Sequence, residues 1–128
     1  MAKRPYKIGF PKARVRTGGT PTGTMNRTEQ RYANLLEVQR LAGEIASWHY
    51  EAFRLRLGEN WRTTWNPDFM VILSTGEIEL VDVKGGGGME DDARVKIKAA
   101  ARLYPRFWYV VATYKAKSWH REVVNVTS

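Results

Sequence analysis

Asp68, Asp82 and Lys84 are the residues whose types and spacing most plainly offer chemistry. Asp68 precedes the apolar run FMVIL, and Asp82 and Lys84 stand two apart in IELVDVKG, residues 78–85. From Glu77 to Leu80 polar and apolar residues alternate, as in a half-buried strand. Val81 and Val83 then carry apolar character to the opposite face, so Asp82 and Lys84 are aimed to the side where Ile78 and Leu80 point inward. Left unpaired inside, such groups cost more than a small domain can readily spare. A mutual salt bridge, or a β-bulge that returns both to water, relieves that cost. If the strands bearing Asp68 and Asp82 pair through a turn at Ser74 to Gly76, the two carboxyls converge as well. Converging carboxylates raise each other's pKa unless a cation lies between them. A hard divalent ion with oxygen ligands suits such a pair, and Mg²⁺ keeps waters that can enter a reaction.

Positioning these residues takes a helix, a meander of strands, a second helix and a further strand. The pattern predicts a helix from near Asn26 to about Ala42, with Tyr32, Leu35, Leu36 and Leu41 as its apolar stripe and Gly43 as its stop. Strands are predicted over Trp48–Leu57, Trp65–Leu73 and 77–84. Pro67 is expected near a strand entry or on an edge, because it has no N–H for the ladder. Gly85 to Gly88 suit a mobile loop or a close approach of backbone to another molecule. Glu90, Asp91 and Asp92 then open a helix with acids at its positive end, Lys96, Lys98 and Arg102 occupy its later turns, and Pro105 lies just past it. Phe107–Thr113 reads as a central strand, and Trp119, Val123, Val124 and Val126 suggest one more. The expected fold class is α/β, an αβββαβ core with a mixed central sheet flanked by helices.

A chain of 128 residues, 43% hydrophobic and 27% charged, suits one domain. It has no cysteine, so a disulfide framework and a cysteine zinc site are both excluded. No apolar run approaches the roughly 18 residues of a membrane span, and the opening MAKRPYKIGF lacks a secretory apolar segment. A soluble protein of the cytoplasm, without membrane contact, is expected. The net charge of +8 is unevenly spread. Residues 1–28 carry seven basic residues and no acid, and the other 14 basic and 13 acidic residues leave only +1. Residues 1–25 therefore read as a flexible basic arm interrupted by glycine and proline, with 26–128 as the folded domain. Such an arm suits a polyanion, and its Lys7, Lys12, Arg14 and Arg16 are candidate phosphate contacts.

Asn66-Pro67-Asp68-Phe69 followed by Asp82-Val83-Lys84-Gly85, with Glu29 in the preceding helix, resembles the PD-(D/E)xK motif of the restriction-endonuclease-like nucleases. The stretch NRTEQRYANLLEVQRLAGEI, the later PDF and DVKG, and a lysine-bearing helix ending in YP are similar to a small phage-encoded branch of that superfamily. More distantly they resemble Holliday-junction resolvases. The resemblance spans residues 26–112. It implies that Asp68 and Asp82 ligate Mg²⁺, for which Mn²⁺ substitutes, with the Val83 carbonyl as a further oxygen and no small-molecule cofactor. It implies that Lys84 positions or activates the attacking water, and that Glu29 binds metal directly or through water. Lys96 fits the place of a basic residue in the family's second helix; Lys98 and Arg102 share one side of that helix and are candidate phosphate contacts with it. The activity implied is Mg²⁺-dependent endonucleolytic hydrolysis of branched or structured DNA in phage recombination or replication, in the host cytoplasm if phage-encoded. Paired cuts in a four-way junction call for a homodimer.

Other readings of the same residues stand beside these. Glu29, three residues after Asn26, completes a capping box. Lys96 can pair with Asp92 and Arg94 with Glu90 at helical spacing, whereas Lys98 and Arg102 have no acid at i−4 and call for partners outside the helix. His49 and His120 are isolated. Trp48, Trp65, Trp108 and Trp119 are core candidates, and Trp61 alone suits base stacking. The rival functions are a nickase or exonuclease on the same site, and a non-catalytic nucleic-acid-binding module.

Overall fold

The computed structural model describes residues 25–58, 63–86 and 91–124. The basic arm with Lys7, Lys12, Arg14 and Arg16, together with Trp61, Gly87, Gly88, Glu90 and Val126, lies outside the described residues. Helix α1, Arg27–Leu41, begins at a capping box: the Asn26 side chain accepts from the Glu29 N–H at 2.8 Å, and the Glu29 carboxylate accepts from the Asn26 N–H at 3.0 Å. It ends where Gly43, with φ 81°, and Glu44 turn their N–H groups back to the carbonyls of Arg40 and Gln39. Tyr32, Ala33 and Leu36 form its buried face. Leu41 does not belong to that face and is 71% exposed. It follows Tyr32 by nine residues, about half a turn out of phase on a helix of 3.6 residues per turn.

The expected strand Trp48–Leu57 is two elements. Strand β1, Ile45–Tyr50, stops where Glu51 adopts φ 49°, and β2, Leu55–Arg56, resumes in a separate two-stranded ladder with β3, Thr64–Trp65. The next expected strand divides too: β3 and β4, Phe69–Leu73, belong to different ladders, and Pro67, which has no N–H to donate, lies between them. A tight turn with Gly76 at φ 97° leads into β5, Ile78–Lys84. Helix α2, Asp91–Leu103, then carries the chain to β6, Trp108–Lys115, and a hairpin to β7, Ser118–Val123.

The main sheet has the order β1-β4-β5-β6-β7 and is mixed, since β5 and β6 are parallel and the other pairs antiparallel. Phe69, Val71, Val81 and Val83 pack with Tyr32 and Leu36 on the α1 side. Met70, Ile78, Leu80 and Tyr109 pack with Ile97 and Ala100 on the α2 side. Strand β5 is therefore apolar on both faces over most of its length, which explains its change of pattern: a central strand covered by two layers has no solvated face. Because β5 and β6 are parallel, α2 runs back between them. Its first turn lies at the end of the sheet where β5 finishes, and its last turn lies at the opposite end. Among the described residues no helix is long and apolar enough to cross a membrane.

Candidate functional site

The antiparallel register sets Phe69 opposite Val81 and Met70 opposite Leu80. One step further out, Asp68 comes opposite Asp82, and the alternation of β5 puts Asp82 and Lys84 on the α2 side. Asp82 is buried, with 6% of its surface exposed. Its Oδ2 lies 3.2 Å from the Lys84 Nζ. Asp68 Oδ2 accepts the Val83 N–H at 2.8 Å. Burial raises the Asp68 pKa first and the Asp82 charge raises it further; the Val83 N–H opposes them, the Glu29 charge adds to the rise, and the net value is about 8. A side-chain hydrogen bond between the two carboxyl groups belongs to the same balance. Burial and the neighbouring carboxyl thus favour the protonated form of Asp68, while Asp82 faces the Lys84 ammonium. The salt bridge expected from the sequence is present, and so is the convergence of carboxyls.

Glu29 stands behind this pair. Its Oε1 accepts both the Asn26 N–H and, at 2.9 Å, the Tyr50 hydroxyl. Two residues that the sequence reading passed over therefore join the site: Tyr50 and Glu51. The Glu51 N–H donates to the Asp68 carbonyl at 2.8 Å, and its carboxylate also acts on the Tyr50 hydroxyl. Burial, then Glu29, then Glu51 push the tyrosine pKa well above its usual range. Left-handed backbone at a non-glycine residue costs about 1–2 kcal/mol. At Glu51 it ends β1 beside Asp68. The sequence signal for this is faint: the polar pair Tyr50-Glu51 inside an otherwise strand-like run.

Among the described residues no group of three or more His, Asp or Glu side chains is gathered as a set of metal ligands. The donors placed together are the two carboxyls Asp68 and Asp82. Such a pair fits Mg²⁺, which is commonly held by one or two carboxylates and keeps several waters. The raised Asp68 pKa comes first from burial and second from the Asp82 charge, both of which a bound cation would offset.

The cations of α2 divide among several environments. Lys96 lies 3.9 Å from Asp92, one turn back. Arg94 grips Glu122 of β7 through both terminal nitrogens, at 3.0 and 3.1 Å. That bond lowers the Glu122 pKa, with a smaller contribution from the Lys98 charge. Lys98 is exposed, makes no ion pair among the described residues, and acts on Glu122 only through its charge. Arg102 sits in the last turn of α2, at the end of the sheet away from Asp82.

His49 faces α2 opposite Met70, and burial lowers its pKa. His120 lies opposite Thr113 on the exposed strand β7. Trp48, Trp65 and Trp119 pack against Phe69, Tyr109 and Tyr32 respectively. Trp108 does not join the core; it is 42% exposed and donates to Glu77. Compared with family models, with curated proteins and with solved structures, the chain gives no match in any of the three.

Proposed function

We propose that the protein is a Mg²⁺-dependent DNA endonuclease with a restriction-endonuclease-like core. The observation that carries this reading is the meeting of Asp68 and Asp82 across adjacent strands with Lys84 beside them. The order α1, β1, β4, β5, α2, β6 supports it, with the β2–β3 ladder as an insertion between the first two strands of the core meander. Asp68, once its proton has left, and Asp82 would hold the ion, with the Val83 carbonyl as the further oxygen. When bound, Mg²⁺ supplies Lewis-acid chemistry for attack of water on a phosphodiester. Lys84 is free to leave Asp82 once that carboxylate has another cation. Its ammonium then offsets the negative charge that builds on the phosphorane-like transition state. Glu29, oriented by Asn26 and Tyr50, stays behind Asp68, where its charge favours a cation at the pair. Water replaces the 3′ oxygen on phosphorus, leaving 5′-phosphate and 3′-hydroxyl ends.

A domain this small has little surface for long sequence readout, which favours recognition of shape and backbone. Branched DNA is the proposed substrate and a homodimer the proposed active form. One observation favours the rival, non-catalytic reading: among the described residues no buried side-chain polar atom lacks a partner, so the trio is closed on itself. Supercoiled plasmid, linear duplex and a synthetic four-way junction, each incubated with Mg²⁺ and with EDTA, separate the readings. The junction is expected to be cut fastest with Mg²⁺ and not at all with EDTA. Equal cutting of linear duplex would remove the branched-substrate assignment, and no cutting with either Mg²⁺ or Mn²⁺ would leave the binding module.

A further inference from the structure

On α2, Arg94 and Lys96 are paired with acids of the chain and Arg102 lies at the far end of the sheet, which leaves Lys98, exposed and without an ion pair among the described residues; a denser group of such cations lies elsewhere. Arg27 and Arg31 are exposed and one turn apart at the start of α1. Like charges at i and i+4 repel, and cations at a helix N-terminus oppose its dipole. Both placements cost stability unless an anion is present. The Arg31 guanidinium is fixed over the Tyr114 ring, 4.5 Å from its centroid. Tyr114 is the residue after Thr113, which pairs with Lys84. From there the β6–β7 hairpin runs beyond the end of β5, and its tip carries the exposed Lys115 and Lys117.

That tip is built against local preference. Ala116 and Lys117 both adopt left-handed backbone, φ 54° and 62°, where such two-residue turns favour Asn-Gly. Arg121 in the same hairpin is spent on Glu79, at 2.8 Å. Among the described residues, no carboxylate pairs with Arg27, Arg31, Lys115 or Lys117. The backbone leaving Lys84 passes between the two parts of this rim. A side chain at Gly85 would approach Thr28 to 3.9 Å, and one at Gly86 would approach the Tyr114 carbonyl to 3.9 Å. The end of the sheet is therefore divided. Acids gather at β1, β4 and β5, and unpaired cations gather around the exit of β5 and beyond β6.

We propose that the first turns of α1 and the β6–β7 hairpin tip form a phosphate-binding rim that holds the DNA backbone beside the reacting phosphate, in place of α2. This rests on the nuclease reading for its orientation, and its test is independent of cleavage. Binding of a labelled DNA duplex is followed by fluorescence anisotropy in EDTA over a series of salt concentrations, using the full chain. Each phosphate contact contributes about 0.9 to the slope of log K against log salt. The triple variant Arg31→Gln, Lys115→Gln, Lys117→Gln is expected to lose about two to three from that slope and to bind at least tenfold more weakly at low salt. The triple variant Lys96→Gln, Lys98→Gln, Arg102→Gln is expected to change binding less than twofold. Arg31→Lys, which keeps the charge and the fold, is expected to retain the slope. An unchanged slope in the rim variant, or an equal loss in the α2 variant, overturns the proposal. A chain that binds through the rim but never cuts with Mg²⁺ overturns the nuclease reading alone.

Discussion

Asp68→Asn is expected to make the protein more stable while removing its ability to cut DNA. Asparagine keeps an oxygen for the Val83 N–H, which Asp68 accepts at 2.8 Å, and it carries no charge to repel Asp82. The sign follows from linkage. The folded-state pKa of Asp68, about 8, lies above its ordinary value of 3.8, so the folded chain holds this proton more tightly than the unfolded chain. Its stabilising contribution is complete below about pH 4, declines as pH rises and is lost above about pH 8. At about 1.4 kcal/mol per pKa unit, the decline amounts to a few kcal/mol. Metal-free wild type should therefore melt progressively lower from pH 5 to pH 9, whereas Asp68→Asn should show a much flatter profile and melt higher at pH 8–9. Cleavage should fall by roughly a thousandfold or more, since one of two ion-holding carboxylates is gone. A variant that melts lower than wild type at pH 9, or cuts at near-normal rate, would refute this assignment.

Lys84→Met is expected to act in the opposite sense on stability. Asp82 is 6% exposed, and Lys84 is its ion-pair partner at 3.2 Å. Removing the part-exposed partner of a buried carboxylate leaves that charge uncompensated and costs on the order of 1–3 kcal/mol, less than the loss from a fully buried pair. Methionine preserves most of the apolar stem, so the loss should reflect the ammonium more than packing. A divalent ion can replace that charge, and Mg²⁺ should therefore raise the melting temperature of Lys84→Met more than that of wild type. Cleavage should fall by about a hundredfold or more because the transition-state charge loses its donor. Denaturant unfolding with and without Mg²⁺, alongside single-turnover cleavage, measures both effects. Unchanged stability without metal would mean that the pair at Asp82 has little weight.

The meeting of Asp68 and Asp82 was legible in the sequence because a short turn at Ser74 to Gly76 joins two strands of clear pattern. Once the turn is placed, the antiparallel register follows, and residues equally far from it come opposite one another. The order of helices and strands was legible for the same reason: each element has a strong period and a clear stop. The interruptions were less visible. Glu51 breaks one expected strand through a left-handed backbone that its residue type does not favour, and Pro67, placed near a strand entry as expected, also marks a break between β3 and β4 that the continuous pattern did not show. The partner of Arg94 was hidden because Glu122 is brought to it only by the β6–β7 hairpin, 28 residues on. Tyr50 was hidden because its role depends on Glu29, a residue already explained as a cap.

Calorimetric titration of Mn²⁺ into the full chain near pH 7.5, repeated in buffers of different ionisation enthalpy, tests the shared-carboxyl site most directly. Wild type is expected to show saturable binding with release of a proton, because Asp68 must give up the one it holds, and Asp68→Asn and Asp82→Asn are expected to lose both signals. Saturable binding that survives in both variants, or no binding and no proton release in wild type, would contradict the account.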